Sequence, residues 1–219
     1  MKRIPEPELM LDEKQVDAYS QADFSTPHNH FVTLFDEKFT NWDKKGRVLD
    51  LGCGTCDVVV RFATRYFGCT IDALDGSEIM LLSGEGYIRK NNLEERVKCI
   101  CDMLPCSKLR GMYDATISNS LLHHMSEPMA LWETIEKFTN PSAPVFVMDL
   151  MRPDSPETAR KLVEQYASDE AEILKHDFYH SLLAAYSIEE VQQQLKTLNL
   201  SKLSVEAVSD RHFIVYGRM

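Results

Sequence analysis

The stretch VLDLGCGTCD, Val48–Asp57, is the strongest indication of the fold, and the apolar run VVVRFATRYF follows it directly. An apolar strand with one acidic residue leads into Gly52 and Gly54, and the run behind them has the spacing of a helix. A strand that ends in a Gly-x-Gly turn lets a ligand approach the backbone, because glycine has no Cβ in the way. The stretch therefore predicts a ligand-binding turn between a strand and a helix.

Asp75 is the second informative position, because it ends a short apolar strand predicted over Thr70–Leu74. A carboxylate at the tip of the neighbouring strand can accept hydrogen bonds from both hydroxyls of a ribose. By itself the glycine turn is weak evidence, and an Asp after a strand is commonly a solvated turn residue. The spacing of the two features together predicts a nucleoside-binding crevice.

Acidic residues around the turn limit which nucleoside can bind. A dinucleotide site has G-x-G-x-x-G, since a pyrophosphate lies on the helix N-terminus. Here Asp50 lies inside the strand, and Cys56 and Asp57 occupy the place of the pyrophosphate, where carboxylates would repel it. They suit a ligand with a cationic amino group, so an NAD(P)-dependent oxidoreductase is the weaker alternative.

On these residues the sequence resembles the class I S-adenosylmethionine-dependent methyltransferases, whose glycine-rich loop reads much like LDLGCGTC. The resemblance covers roughly residues 39–219 and continues in DGS at 75–77, CDMLP at 101–105 and YDATISNSLLHH at 113–124. It implies S-adenosylmethionine as cofactor and methyl transfer to a small-molecule acceptor. A non-catalytic protein that only binds the cofactor is the other alternative. Cys56 departs from the family, which usually has a small residue there, often glycine.

The resemblance also implies which residues bind the cofactor. Gly52 and Gly54 would contact its methionine part, Asp50 would serve the amino group, and Asp75 would hold the ribose hydroxyls. The expected cofactor-binding set is Asp50, Gly52, Cys53, Gly54, Asp75, Gly76, Ser77, Asp102, Met103 and Asn119.

The later motifs would bind the adenine and the reacting methyl group. Asp102 with Met103 would flank the adenine, although Asp102 can equally cap its own loop, and Asn119 would lie beside the methyl. His123 and His124 follow Asn119 and are the candidate catalytic residues, because histidine is the base best matched to neutral pH. The alternative is that both are helix-terminal histidines bonded to the backbone.

The acceptor is expected between the N-terminal segment and a helical insert at residues 156–186. Net charge is −10 and no lysine- or arginine-rich block is present, which disfavours nucleic acid and favours a small molecule. His28, His30, Arg152 and Tyr186 are the candidate substrate-binding residues. Residues 1–42 are predicted as a helical lid and residues 43–219 as the cofactor-binding domain.

Alternating apolar runs predict an α/β fold, a doubly wound, mostly parallel seven-stranded sheet with helices on both faces. Strands are predicted over 47–51, 70–74, 97–100, 115–118 and 144–150, and a C-terminal antiparallel hairpin closes the chain. Helices are predicted over 13–22, 28–39, 57–66, 78–90 and 129–138, with Ser155 and Ser187 as N-caps.

The six cysteines include Cys53-x-x-Cys56 and Cys99-x-Cys101, patterns that can hold zinc or carry redox chemistry. A second CxxC pair is lacking, so we expect free thiols and no metal site, with Cys99 and Cys101 packed on one strand face. No carboxylate cluster for Mg²⁺ is evident near Asn119. The chain has no apolar run long enough for a membrane span and no secretory h-region, so we expect a cytoplasmic monomer or homodimer.

Overall fold

Strands and helices alternate through the part of the chain that the computed structural model describes, residues 1–7, 9 and 12–219. The strands are β1 (Lys45–Leu51), β2 (Gly68–Asp75), β3 (Val97–Cys101), β4 (Ala115–Asn119), β5 (Pro144–Leu150), β6 (Leu203–Ala207) and β7 (His212–Arg218). The helices are α1 (Glu13–Gln21), α2 (Ser25–Lys38), α3 (Asp57–Arg65), α4 (Glu78–Lys90), α5 (Met129–Phe138), α6 (Pro156–Ala167), α7 (Glu172–Ala184) and α8 (Ile188–Thr197). A 3-10 turn covers Leu122–His124.

The strands form one seven-stranded sheet in the order β3-β2-β1-β4-β5-β7-β6. β1 to β5 are parallel, whereas β7 runs antiparallel to both β5 and β6. This topology confirms the predicted fold class and the C-terminal hairpin. The strand order reverses between β1 and β4, and ligands of open α/β sheets bind beyond the carboxyl ends of the strands at such a point.

Helices cover both faces of the sheet. One face packs against α2, α3 and α4 in a core that includes Phe35, Phe62 and Phe146. The other face packs against α5 and α8, with Trp132 and Val191 fully buried. All seven residues of β5 are buried, as expected for a strand covered on both faces.

The predicted lid, residues 1–42, contains a helix that belongs to the core. α2 begins at Ser25 rather than at His28, and its Phe31 and Phe35 are 0% and 1% exposed. The Phe35 ring centroid lies 4.9 Å from that of Phe62 on α3. α2 is therefore packed like any other helix of the sheet, while the proposed boundary at residue 42 stays a prediction.

The predicted insert at residues 156–186 consists of α6 and α7, which pack against each other. The Ser155 side chain caps α6 by accepting from Thr158 N. Ser187 and Glu190 form the predicted capping box at the start of α8. None of the helices in the described residues is long and apolar enough to cross a membrane.

Candidate active site at the carboxyl ends of the strands

Hydrogen bonds join the glycine turn after β1 to the end of β2. The N–H groups of Gly52 and Cys53 donate to the carbonyl oxygen of Leu74 at 2.8 and 3.0 Å. Gly54 N donates to Oδ2 of Asp75 at 2.8 Å. The turn and the carboxylate that the sequence predicted as two halves of one crevice are therefore in direct contact.

Close backbone approach explains the glycine at position 52. Its φ is +74°, and a Cβ there would lie 2.7 Å from the Cβ of Leu121, in the loop after β4. Cys56 also has a positive φ, +63°, which is the conformation that favours glycine. Its sulfur is accommodated at Gly84 of α4, where a Cβ would lie 2.7 Å from Sγ. The cysteine at position 56, where the family usually has a small residue, therefore fits because position 84 is a glycine.

Two carboxyl groups, the buried Asp50 and the half-buried Asp75, give the crevice its electrostatic character. Burial, with a contribution from the nearby Asp75 charge, raises the pKa of Asp50 to about 8. Burial also raises the pKa of Asp75, although hydrogen bonds from Ser77 and Gly54 oppose that effect. A cationic ligand in this crevice would offset the cost of ionising both groups.

Asp102 has its carboxylate turned to its own loop. Oδ1 accepts from Met103 N at 3.0 Å, and Oδ2 accepts from Ser107 N and Lys108 N at 2.9 and 3.0 Å. The Cys106 thiol and these bonds lower the pKa of Asp102. The Asp102 side chain therefore caps its own loop, which was the alternative to a role beside the adenine.

The loop after β3 nevertheless lies against the crevice. Asp102 N donates to the carbonyl oxygen of Asp75, and a Cβ on Gly76 would lie 2.4 Å from Sδ of Met103. Ser77 caps α4 by accepting from Met80 N. The end of β2 and the loop after β3 thus form one wall of the crevice.

A histidine held by a carboxylate lies beyond β4, past the half-buried Asn119. Nδ1 of His123 is 2.6 Å from Oδ1 of Asp149 on β5. Because the Asp149 carboxylate also accepts from the N–H groups of Leu122 and Leu150, it acts as acceptor and His123 Nδ1 carries the proton. Asp149 thus bonds to Nδ1 of His123 and not to its Nε2 atom.

Glu6 completes the histidine cluster, and sequence reasoning missed it. Its Oε1 lies 3.1 Å from Nδ1 of His124 and 3.7 Å from Nε2 of His123. Ser181, 175 positions along the chain, donates to the same oxygen at 3.0 Å. The N-terminal segment around Glu6 has no helical or strand periodicity, so no local signal indicated this contact.

Among the described residues, the ligand atoms of Glu6, His123 and His124 lie within 4.8 Å of one another, close enough for a metal ion. The Glu6 oxygen already accepts a hydrogen bond from Ser181 and pairs with His124. We interpret the cluster as a network of hydrogen bonds and ion pairs, and the expected absence of a metal site stays a prediction.

The four candidate substrate-binding residues do not form one site. His28 is buried against Asp57, with Nδ1 2.5 Å from Oδ2, and His30 is exposed on α2. Arg152 and Tyr186 are neighbours, since Arg152 N donates to the carbonyl oxygen of Tyr186 at 3.2 Å. The Arg152 side chain donates to Glu190 at 2.7 Å, and the Tyr186 hydroxyl donates to the carbonyl oxygen of Met125, beside the histidine pair, at 2.7 Å.

A cavity of about 400 Å³ lies beside α3 and α4 and is lined by Asp23, Phe24, Asp57 and Tyr87 among others. The N-terminal segment contributes to it but no residue of α7 does, so the two segments expected to share an acceptor pocket do not both line this cavity.

All six cysteines are free thiols. Cys53 and Cys56 are buried in the glycine turn. Of the two strand cysteines, Cys99 packs against the core and Cys101 is exposed. The expectation that both strand cysteines serve packing is wrong for Cys101, which lies at the strand's end.

Residues 42–202 match a family model described as a methyltransferase domain. None of the curated proteins matches the sequence.

Solved structures show the same fold at low identity. A SAM-dependent methyltransferase from Aquifex aeolicus is 18% identical, with a TM-score of 0.69 over 95% of this chain and 98% of its own. The plantazolicin methyltransferase BpumL, in complex with SAH, is 14% identical, with a TM-score of 0.69 over 94% and 90%. An O-methyltransferase family protein from Burkholderia thailandensis is 15% identical, with a TM-score of 0.70 over 94% and 60%.

Proposed function

This chain belongs to the methyltransferase family whose model matches residues 42–202, and we propose that it transfers a methyl group from S-adenosylmethionine to a small-molecule acceptor. The membership confirms the resemblance seen in LDLGCGTC and replaces the oxidoreductase alternative. Two carboxyl groups beside the glycine turn, the buried Asp50 and the half-buried Asp75, carry the cofactor assignment. An amino group and a sulfonium suit these two acids, whereas a pyrophosphate would be repelled.

We assign the cofactor's contacts to the residues that meet at the crevice. Asp75 uses two of its acceptor positions on Gly54 and Ser77, which leaves lone pairs for ribose hydroxyls. Because the Asp102 carboxylate is bonded to its own loop, we propose that this loop contributes Met103 and shape to the adenine site. Asn119 keeps its proposed place beside the methyl group.

His123 is the better placed of the two proposed catalytic histidines. Methyl transfer is an in-line displacement in which the acceptor atom bonds to the methyl carbon while the carbon–sulfur bond breaks toward sulfur. An acceptor that carries a proton needs a base to receive it. Asp149 fixes the protonated Nδ1 of His123, so its Nε2 can take that proton.

Binding of the cofactor is tested by calorimetry with S-adenosylmethionine and its demethylated product. We expect both to bind, and Asp75→Ala to weaken binding about 10- to 100-fold, since a hydrogen bond to a charged group contributes roughly 1.5–3 kcal/mol. Glu95→Ala, which removes an exposed acid elsewhere, is the matched control and should bind normally. A thermal-shift panel that includes NAD and NADP completes the test, and stabilisation by a dinucleotide alone would overturn the proposal.

The acceptor is proposed to be small because the chain is acidic and has no basic tract. BpumL, one of the solved structures with the same fold, is a plantazolicin methyltransferase. The acceptor screen therefore also includes larger molecules such as peptides. Incubating the protein with a labelled methyl donor and metabolite extracts would identify the acceptor, and the absence of turnover would favour a non-catalytic cofactor-binding role. We propose a cytoplasmic monomer or homodimer that does not bind nucleic acid.

A further inference from the structure

Residues 1–7, which we call the strap, cross from the end of α7 to the loop after β4. The Arg3 guanidinium donates to the carbonyl oxygens of Ala184, His123 and Met125 at 2.5, 2.8 and 3.1 Å. It also lies 4.1 Å from the ring centre of Tyr186. These contacts fix the strap over the carboxyl ends of the strands.

The strap places one carboxylate in the histidine pair. Glu6 has a side chain that is 11% exposed, and its Oε1 faces His124, His123 and the Ser181 hydroxyl. Asp149 holds the opposite nitrogen of His123 from inside the sheet. The two imidazole rings, whose centres are 4.1 Å apart, therefore lie between carboxylates supplied by the strap and by β5.

The charges around His123 favour its protonated form. Burial lowers the pKa of His123, but Asp149 and then Glu6 outweigh that effect and raise it above its ordinary value, against a smaller opposing effect from Arg3. Burial raises the pKa of Glu6, yet His124 and His123 bring it below its ordinary value. Asp75 is the further charged group that interacts with His124.

We propose that Glu6 is a positioning residue of the methyl-transfer site, which orients both histidines and which the acceptor's nucleophilic group displaces from Nε2 of His123. When the Glu6 carboxylate moves away, it no longer stabilises the protonated form of His123. The Nε2 proton of His123 is then released to solvent. The lone pair thus freed accepts the proton of the acceptor. The displacement step rests on the proposed function, whereas the orienting contact does not.

The test is a titration of the imidazole C–H signals of the full chain by NMR, in EDTA and without cofactor. We expect Glu6→Gln to lower the titration midpoint of His123, because the Glu6 carboxylate is one of the charges that raise its pKa. His124→Gln assigns the signals. Glu13→Gln, an exposed acid on α1, removes the same charge and should leave the midpoint of His123 unchanged.

An unchanged midpoint of His123 in Glu6→Gln, or an equal change in Glu13→Gln, would overturn the proposal. So would a shift that appears only after zinc is added, because Glu6 would then be a metal ligand. Glu6→Asp, which retracts the carboxylate by one methylene, should give an intermediate midpoint and serves if Glu6→Gln fails to fold. Since no cofactor is present, a failure of methyl-donor binding would leave these results intact.

The displacement step has its own test once an acceptor is known. The acid limb of the kcat/KM profile should move to lower pH in Glu6→Gln, as expected when the histidine loses a proton more easily. An unmoved acid limb would show that Glu6 does not act through the histidine pair.

Discussion

At the scale of single residues, Cys56 and Gly84 compensate for each other. A non-glycine residue in the left-handed region costs on the order of 1–3 kcal/mol, and Cys56 occupies it at φ +63° while fully buried. Its sulfur fills the space that a Cβ at Gly84 would need. Gly84→Ala should therefore lower the free energy of unfolding by about 1–3 kcal/mol, even though alanine favours helices, because the helix is overpacked there. Urea denaturation measures the change.

Gly86 on the same helix is the matched control, since a Cβ there would have nothing within 4 Å. Gly86→Ala should stabilise the protein by about 0.5–1 kcal/mol through helix propensity. Adding Cys56→Gly to Gly84→Ala should recover most of the loss, because the two positions are in contact. If Gly84→Ala were as stable as Gly86→Ala, the proposed compensation would be wrong.

At the scale of elements, α2 packs against the core, and we propose that it stays packed there rather than opening as a lid. Phe35 makes ring contacts with Phe62 and Phe146, which join α2 to α3 and to the sheet. We expect Phe35→Ala to reduce the free energy of unfolding by about 3–5 kcal/mol, as large-to-small changes in a packed core do. Thermal or urea unfolding measures this.

The exposed Glu37 on the same helix provides the comparison, and Glu37→Ala should change stability by no more than about 0.5 kcal/mol. A lid that opens freely would tolerate Phe35→Ala without loss of stability. That outcome would restore the original expectation for residues 1–42.

At the scale of the whole molecule, the acidic crevice couples cofactor binding to pH. The pKa of Asp50 is about 8, well above that of an unfolded aspartate, so the free protein holds a proton there near neutral pH. From this group alone, stability falls as pH rises from about 4 to 8, since the folded state binds more protons than the unfolded one. A cationic ligand favours the ionised carboxylate, and S-adenosylmethionine should therefore bind more tightly as pH rises toward 8, with release of protons.

Calorimetry in buffers of different ionisation enthalpy measures the released protons, and thermal shifts at pH 6 and pH 8.5 give the trend. Asp50→Asn should reduce the proton release and flatten the pH dependence while leaving the fold intact. Affinity that is independent of pH in the wild type would contradict the role assigned to Asp50.

The α/β architecture could be predicted from local patterns in the amino-acid sequence, and so could the meeting of the glycine turn with Asp75. The bounds of α4, α5 and β5 agree with those predicted, and the caps at Ser155 and Ser187 are confirmed. These features depend on residues that are close in the chain, through hydrophobic periodicity, glycine turns and capping side chains. The contact of Gly54 with Asp75 follows from the same logic, because parallel strands end at one edge.

The partners of the polar side chains could not be predicted from the sequence and became evident in the folded chain. Asp102 bonds to its own loop, His28 pairs with Asp57, and Glu6 reaches the histidine pair from the strap. A local pattern shows that a side chain is polar, but not which of several donors and acceptors satisfies it. That choice is set by burial, since a polar group removed from water must bond to whichever partner the packed chain brings within reach.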